Sequence, residues 1–568
     1  MDNAHDGHTA PGTPADPTAL DGARRAAWID ELKGRGSDDP VDLIIIGGGI
    51  TGVGVALDAV TRGLDVVLVE KHDLGFGTSR WSSKLAHGGL RYLTKLEIGI
   101  AYHSAVERGR LMRHIAPHLV RALPQVTPLA DDTNLIQKAA VRVGYIAGDM
   151  LRLAARTPSS ILPRSRYLNR DATLKMVPSA LRDGLRGAWV NYDGQMVDDA
   201  RVVTAIARTA AENGARVITH CSAADATGDG ATLVDELTGE SFHLPARAVV
   251  NATGVWAGGL DDGIRVRPSR GTHLVFDAET FGNPTGALTI PLPGSISRYL
   301  FILPAQLGRV YLGLTDEDTP GAIPDVPPTP ESDVEFLLEN INRALGAKVT
   351  RDDVRGAFTG LRPLLVPEGA GTEIVEEASG GDLESADGDG SNGDGGAGEA
   401  GSTADLSRRH ATVKSADGLI SIVGGKFTEY RLMAQEAVDF VLSDRGIRAA
   451  DCRTMELPLV GAPGHKASRG VTEADLSALP QSLVDRFGHE APKVVAAATV
   501  ADPLGRVAGF DVIRAEFEYA VTHEGALTVG DIVDRRTRIG MVAEDRAAAV
   551  PFAREVLELH GIAVDGDE

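Results

Sequence analysis

Three glycines, Gly47, Gly49 and Gly52, follow directly on the apolar run Val41–Ile46 and open a helical pattern that continues to about Arg62. In G-x-G-x-x-G the first glycine permits a tight turn. The second lets the backbone approach a pyrophosphate, and the third lets the helix pack close to the strand. Unpaired amides at the helix N-terminus then hold the phosphates. The glycines alone are weak evidence in a chain with 66 of them. Glu70 strengthens them, because it ends the next strand-like run, Asp65–Glu70, where a carboxylate binds a ribose hydroxyl pair and repels a 2′-phosphate. NADP is therefore disfavoured.

FAD and NAD both use such a fold, and two further glycine turns separate them. Asn251-Ala252-Thr253-Gly254 follows a second apolar run about two hundred residues later. Gly424-Gly425-Lys426-Phe427-Thr428 follows a third and again opens a helix. Amides of that last turn suit the pyrimidine edge of a flavin, where negative charge collects on reduction. An NAD domain does not need three chain-distant glycine turns, so the reading is FAD.

With 568 residues the chain is long enough for several domains. Residues 1–40 read as a mobile tail with one short helix near Ala23–Leu32. Residues 41–264, with 408–445 returning, form a Rossmann-like FAD-binding domain of glutathione-reductase or D-amino-acid-oxidase type. Residues 265–367 alternate short strands with turns and read as an antiparallel-sheet substrate domain. Residues 450–568 read as a C-terminal helical domain, with Val512, Ile513, Phe517, Ala520 and Val521 on one face. The fold class is thus α/β plus α+β. Between them, 368–407 is an acidic insert read as disordered: from Glu368 to Leu406 eleven acidic residues and no Lys or Arg carry half of the net charge of −22. That balance excludes broad nucleic-acid binding. Two lone cysteines, Cys221 and Cys452, argue against disulfides and structural zinc and suit a reducing compartment. There is no secretory signal pattern and no apolar run of spanning length.

Longer motifs carry a family resemblance. They are Thr78-Ser79-Arg80-Trp81-Ser82-Ser83-Lys84-Leu85-Ala86-His87-Gly88-Gly89-Leu90-Arg91-Tyr92-Leu93, Ala116–Leu119, Val197–Arg201, Arg270–His273, Gly360–Leu364, Gly424–Arg431, Tyr519–Glu524 and Asp534–Arg538. Together, over about 41–367 and 408–545, the chain resembles FAD-dependent, quinone-linked glycerol-3-phosphate dehydrogenases. The resemblance implies hydride transfer from C2 of sn-glycerol 3-phosphate to flavin N5, giving dihydroxyacetone phosphate, with electrons leaving to a membrane quinone. It implies that Arg91, Arg362 and Lys426 contact substrate and that His87 and His273 are candidate bases. It places Thr78, Ser79, Ser83 and Gly88 beside the cofactor, with Gly47, Gly49, Gly52, Glu70, Ala252, Thr253, Gly254, Gly424, Gly425, Phe427 and Thr428. The acidic insert and Glu429, where the family often has Thr, depart from the pattern.

The residues themselves suit this chemistry. Arginine matches phosphate geometry, and a neutral histidine can take a hydroxyl proton. His87 has a structural alternative in a glycine-rich turn. His273 stands evenly between strand core and base, and Arg362 between a snorkelling side chain and a phosphate anchor. His114 and His118, four apart around Pro117, read as surface residues rather than metal ligands. From Lys138 to Arg170, seven Lys or Arg against the single Asp149 interleave with aliphatics. This segment reads either as a solvated face or as a peripheral membrane contact. The expected location is cytoplasmic, attached to the inner face of the membrane, with a homodimer left open. Rival readings are an oxidase making peroxide, an amine or amino-acid oxidase, and a non-enzymatic flavin-binding protein.

Overall fold

The computed structural model describes residues 16–89, 97–131, 135–292, 299–346, 348–365, 373–375 and 410–564. Of the expected features, Arg91, the side chain of Lys138 and nearly all of the acidic insert lie outside these residues.

Val41–Ile46 is a fully apolar strand at every position but Asp42, which fits burial on both faces of a parallel sheet. It pairs in parallel with Ser241–Asn251 on one side and Val66–Val69 on the other. Arg216–Ile218 and Ile420–Gly424 extend the parallel core on its two flanks. The antiparallel strands His410–Lys414 and Glu373–Val375 continue the second flank. The helix Ile50–Thr61 packs over one face with Asp199–Glu212 and Tyr430–Arg445, and its small residues allow the close approach. Five strands drawn from across the chain thus converge on one layer, and the three glycine turns sit at its C-terminal edge, where α/β sheets bind ligands.

The second sheet has ten strands and is antiparallel apart from one pair. Val266–Asp277 lies between Gly356–Leu365 and Arg309–Gly313, and Tyr299–Pro304 and Ala287–Pro291 follow. Contrary to the boundaries read from the sequence, residues 265–367 do not build this sheet alone. Ala287–Pro291 pairs in parallel with Val120–Leu129, which pairs with Gly187–Met196 and, through it, with Leu85–Ala86 and Arg166–Asn169. The chain therefore leaves the nucleotide layer after the first motif, contributes four strands to the other sheet, and returns. The motif segment 78–89 is the crossing point between the two sheets.

The short helix expected near Ala23–Leu32 is present as Gly22–Lys33, capped by Asp21, whose carboxylate accepts from Arg24 N at 2.8 Å, but it is docked rather than part of a mobile tail. Ile29 and Leu32 bury against the outer face of the parallel sheet. With Leu20 and the buried Arg25–Asp235 pair, they dock a segment whose Gly, Pro and Asp content suggested mobility. Beyond residue 450 helices dominate, and Val512, Phe517, Ala520 and Val521 share one core.

Candidate active site

At the first turn, Gly47 takes φ +114°, and a Cβ there would meet the Ala252 carbonyl oxygen at 2.7 Å. A Cβ on Gly52 would overlap the Gly47 carbonyl oxygen. The first two glycine turns are therefore packed against each other through Gly47, Gly52 and Ala252. Gly49 caps the helix without a side chain, and Ser79 Oγ accepts from Ile50 N at 2.9 Å. Glu70 Oε2 accepts from Gly48 N at 2.6 Å and Oε1 from His72 N at 2.9 Å. Burial raises the Glu70 carboxyl above its ordinary value, and those two amides oppose the rise. In the second turn, Thr253 N and Oγ1 donate to Asn251 Oδ1 at 3.2 and 2.7 Å. Gly254 takes φ +64° with open space where a side chain would stand. In the third, Gly424 and Gly425 both have positive φ, and Phe427 packs on the nucleotide-layer core. A glycine-capped helix end, a ribose-type carboxylate and three glycine turns at one sheet edge fit the pyrophosphate, ribose and flavin of FAD.

The segment 78–89 ties this edge to the second sheet. Thr78 Oγ1 donates to Leu361 O at 2.6 Å, beside Arg362. Ser83 Oγ lies 2.9 Å from His273 Nε2. His273 is 1% exposed, stacks on Phe358 at 4.7 Å, and its Nδ1 meets no partner among the described residues. Burial, with the Lys84 and Arg362 charges nearby, holds its pKa well below the ordinary value, so the ring is neutral. His87 is different: its side chain is 51% exposed, and its backbone N–H donates to Thr428 Oγ1 at 3.0 Å. Its Nδ1 stands 3.4 Å from Asp193 Oδ2. Gly88 N donates to Asp193 Oδ1 at 2.9 Å, and any side chain at Gly88 would collide with the Arg108 guanidinium.

Two of the candidate cations are present among described residues. Lys426 Nζ donates to Glu429 Oε1 at 2.9 Å and to Ser104 Oγ at 3.2 Å. Arg362 reaches Ser269 Oγ at 3.2 Å, Asp316 at 3.3 Å and the Thr315 carbonyl at 3.4 Å. Each cation has a carboxylate beside it, so an incoming phosphate competes with an internal partner.

Several functional-looking motifs are structural. Arg270 makes a bidentate pair with Asp333 at 2.9 Å. Asp198 caps its helix and pairs with Arg538 at 3.1 Å, while Asp199 holds the buried Lys84 at 2.8 Å. Arg201 forks onto Glu524 at 2.9 and 3.0 Å. The expectation that His118 lies on the surface is corrected: it is 8% exposed, and burial lowers its pKa to about 3. The sequence reading also missed Asp193, Arg108 and Asp316. The one available signal for Asp193 was a charged residue inside the strand-like Trp189–Met196, close before the Val197–Arg201 motif.

Comparison with known proteins decides the family. Residues 42–401 match a family model described as FAD dependent oxidoreductase. Residues 452–561 match the C-terminal domain of alpha-glycerophosphate oxidase. Glycerol-3-phosphate dehydrogenase 1 of Mycobacterium tuberculosis is 54% identical over 540 residues, 95% of this chain and 98% of that protein. The chain belongs to the FAD-dependent glycerol-3-phosphate dehydrogenase family. A mitochondrial glycerol-3-phosphate dehydrogenase of Arabidopsis thaliana is 33% identical over 94% of this chain and 84% of that protein. Among solved structures, glycerol-3-phosphate dehydrogenase from Bacillus halodurans complexed with FAD superposes with TM-score 0.66 at 25% identity, covering 94% of each chain. L-alpha-glycerophosphate oxidase from Mycoplasma pneumoniae shares the fold, with TM-score 0.50 at 14% identity over 74% of this chain and 98% of that one. FAD is the cofactor of this dehydrogenase family, in agreement with the fit of the three turns.

Proposed function

We propose that this family member oxidises the C2 hydroxyl of sn-glycerol 3-phosphate to the ketone of dihydroxyacetone phosphate and passes the electrons to a membrane quinone. The observation that carries the reading is the His87–Thr428 bond, which joins the candidate base to the glycine turn that bears Lys426. That the Mycobacterium and Bacillus relatives are glycerol-3-phosphate dehydrogenases supports the substrate.

Bound FAD supplies the two-electron acceptor. Gly47, Gly49, Gly52, Glu70, Ser79, Thr253, Gly254, Gly424 and Gly425 would hold it, with Thr78, Ser83, Gly88, Ala252, Phe427 and Thr428 packed around them. His87 takes the hydroxyl proton, because it is the accessible imidazole of the two. His273, buried and neutral, holds Ser83 in place. Lys426 and Arg362 bind the phosphate, exchanging Glu429 and Asp316 for it, and Arg91 remains a third cation by its motif alone. The test is turnover: FAD-loaded enzyme should convert glycerol 3-phosphate to dihydroxyacetone phosphate with a soluble dye acceptor. No product under those conditions refutes the reading.

Support for a membrane contact comes from the helix Leu135–Ala154. Val143, Ile146, Met150 and Leu153 recur at helical spacing on it, and all are exposed. Exposed Arg156, Arg164, Arg166 and Arg170 follow close behind. Arg152, expected among the lipid-facing cations, is instead buried and donates to Thr157 O at 2.7 Å. Among the described residues no helix is long and apolar enough to cross a membrane. An apolar stripe flanked by cations is the arrangement of a helix lying in the interface plane.

A further inference from the structure

We infer that Asp193 is a positioning residue for the reaction, fixing which ring nitrogen of His87 carries the proton; this rests on the assignment of His87 as the base. Asp193 lies in the strand Gly187–Met196, buried beneath the turn that presents His87. Its two oxygens have separate tasks. Oδ1 accepts three N–H groups: Gly88 N at 2.9 Å, Gly194 N at 3.0 Å and Arg108 Nη1 at 2.7 Å. Oδ2 meets, among the described residues, His87 Nδ1 alone, at 3.4 Å.

Burial by itself would raise the Asp193 carboxyl, but the Arg108 guanidinium and the His87 contact hold it below the ordinary carboxylate value. It is therefore ionised and can only accept. The neutral His87 ring must then carry its proton on Nδ1, which leaves Nε2 as the free acceptor. At 3.4 Å the contact is long, and such a length is compatible with a catalytic role because these bonds tighten in the complex with substrate.

The geometry makes Asp193→Asn a sharp test. Three donors on Oδ1 require an oxygen there, so the amide NH2 must occupy the Oδ2 position and face His87. The ring would answer with an unprotonated Nδ1, its proton would move to Nε2, and the base would be in the wrong tautomer. Positioned general bases contribute about 10²–10⁴-fold. Reduction of bound flavin by glycerol 3-phosphate, followed anaerobically, should slow by about that factor. FAD content and glycerol 3-phosphate affinity should stay near wild type.

His87→Gln should slow the same step, and adding Asp193→Asn to it should cost nothing more, because the two act as one unit. Asp193→Asn also leaves Arg108 buried without its counter-charge. If that variant is poorly folded, Asp193→Asn with Arg108→Gln removes the stranded cation and should show the same slow reduction. Near-normal reduction in a folded Asp193→Asn variant overturns the inference. So does a further loss when the two changes are combined, which would mark a structural role independent of His87. Wild-type reduction by His87→Gln instead removes the base assignment on which the inference rests.

Discussion

Asp73 is wholly buried where the C-terminal helices meet the nucleotide layer, and its loss should loosen that junction. Its Oδ2 accepts from Arg535 Nε at 2.7 Å and Arg536 Nη1 at 2.6 Å, and its Oδ1 from Arg536 Nη2 at 2.7 Å. Asp73→Asn keeps the shape but removes the charge and turns one acceptor into a donor facing a guanidinium. Arg535 retains Asp531. Arg536, 2% exposed, keeps only the Glu524 carbonyl oxygen as a hydrogen-bond acceptor among the described residues. Three charge-assisted bonds at about 1.5–3 kcal/mol each would overstate the loss, since the pair was costly to bury. Removing one partner of a buried pair costs about 3–5 kcal/mol, and that is the destabilisation expected here. Urea denaturation of the FAD-loaded protein, read by tryptophan fluorescence, measures it. Replacing Arg536 by Met together with Asp73→Asn should recover much of the loss, because no charge is then stranded. A single variant within about 1 kcal/mol of wild type would refute the reasoning, as would double-variant costs that simply add.

Gly52→Ala should give colourless protein, since the new Cβ can be accommodated only by moving the backbone at Gly47; normal flavin absorbance in the purified variant would contradict the turn assignment. Arg362→Ala should weaken glycerol 3-phosphate by about 1.5–3 kcal/mol for each lost bond to phosphate and leave unphosphorylated glycerol little affected. Equal losses on both substrates, measured as kcat/KM, would place Arg362 outside the phosphate site. Changing Arg156, Arg164, Arg166 and Arg170 together to Gln should weaken sedimentation with anionic vesicles, roughly fivefold for each cation that contacts lipid, and lower quinone reduction while dye reduction persists. Unchanged sedimentation would make the segment a solvated face.

The nucleotide layer was legible because its evidence is local: an apolar run, a glycine turn and a helix adjoin one another in the chain. The place of Glu70, directly after the next strand, was readable for the same reason. The second sheet was legible only in the part that is contiguous, from Val266 onward. Its parallel join between Ala287–Pro291 and Val120–Leu129 links segments more than 150 residues apart, and periodicity carries no signal for such a pairing. Charge was the least legible property. Arg152 and His118 look like surface residues by type, and tertiary packing buries them. Asp193 was missed because its meaning lies in what surrounds it: Arg108 from a distant helix and His87 from a turn in another segment.

The most direct measurement of the central claim is the first half-reaction alone. FAD-loaded protein is mixed anaerobically with glycerol 3-phosphate, with glycerol, and with a small amino acid, and the visible flavin band is followed. The expected result is rapid bleaching by glycerol 3-phosphate, with one dihydroxyacetone phosphate formed per flavin reduced, and little change with the other two. Bleaching by the amino acid, or none with glycerol 3-phosphate in a fully flavinylated sample, would contradict it.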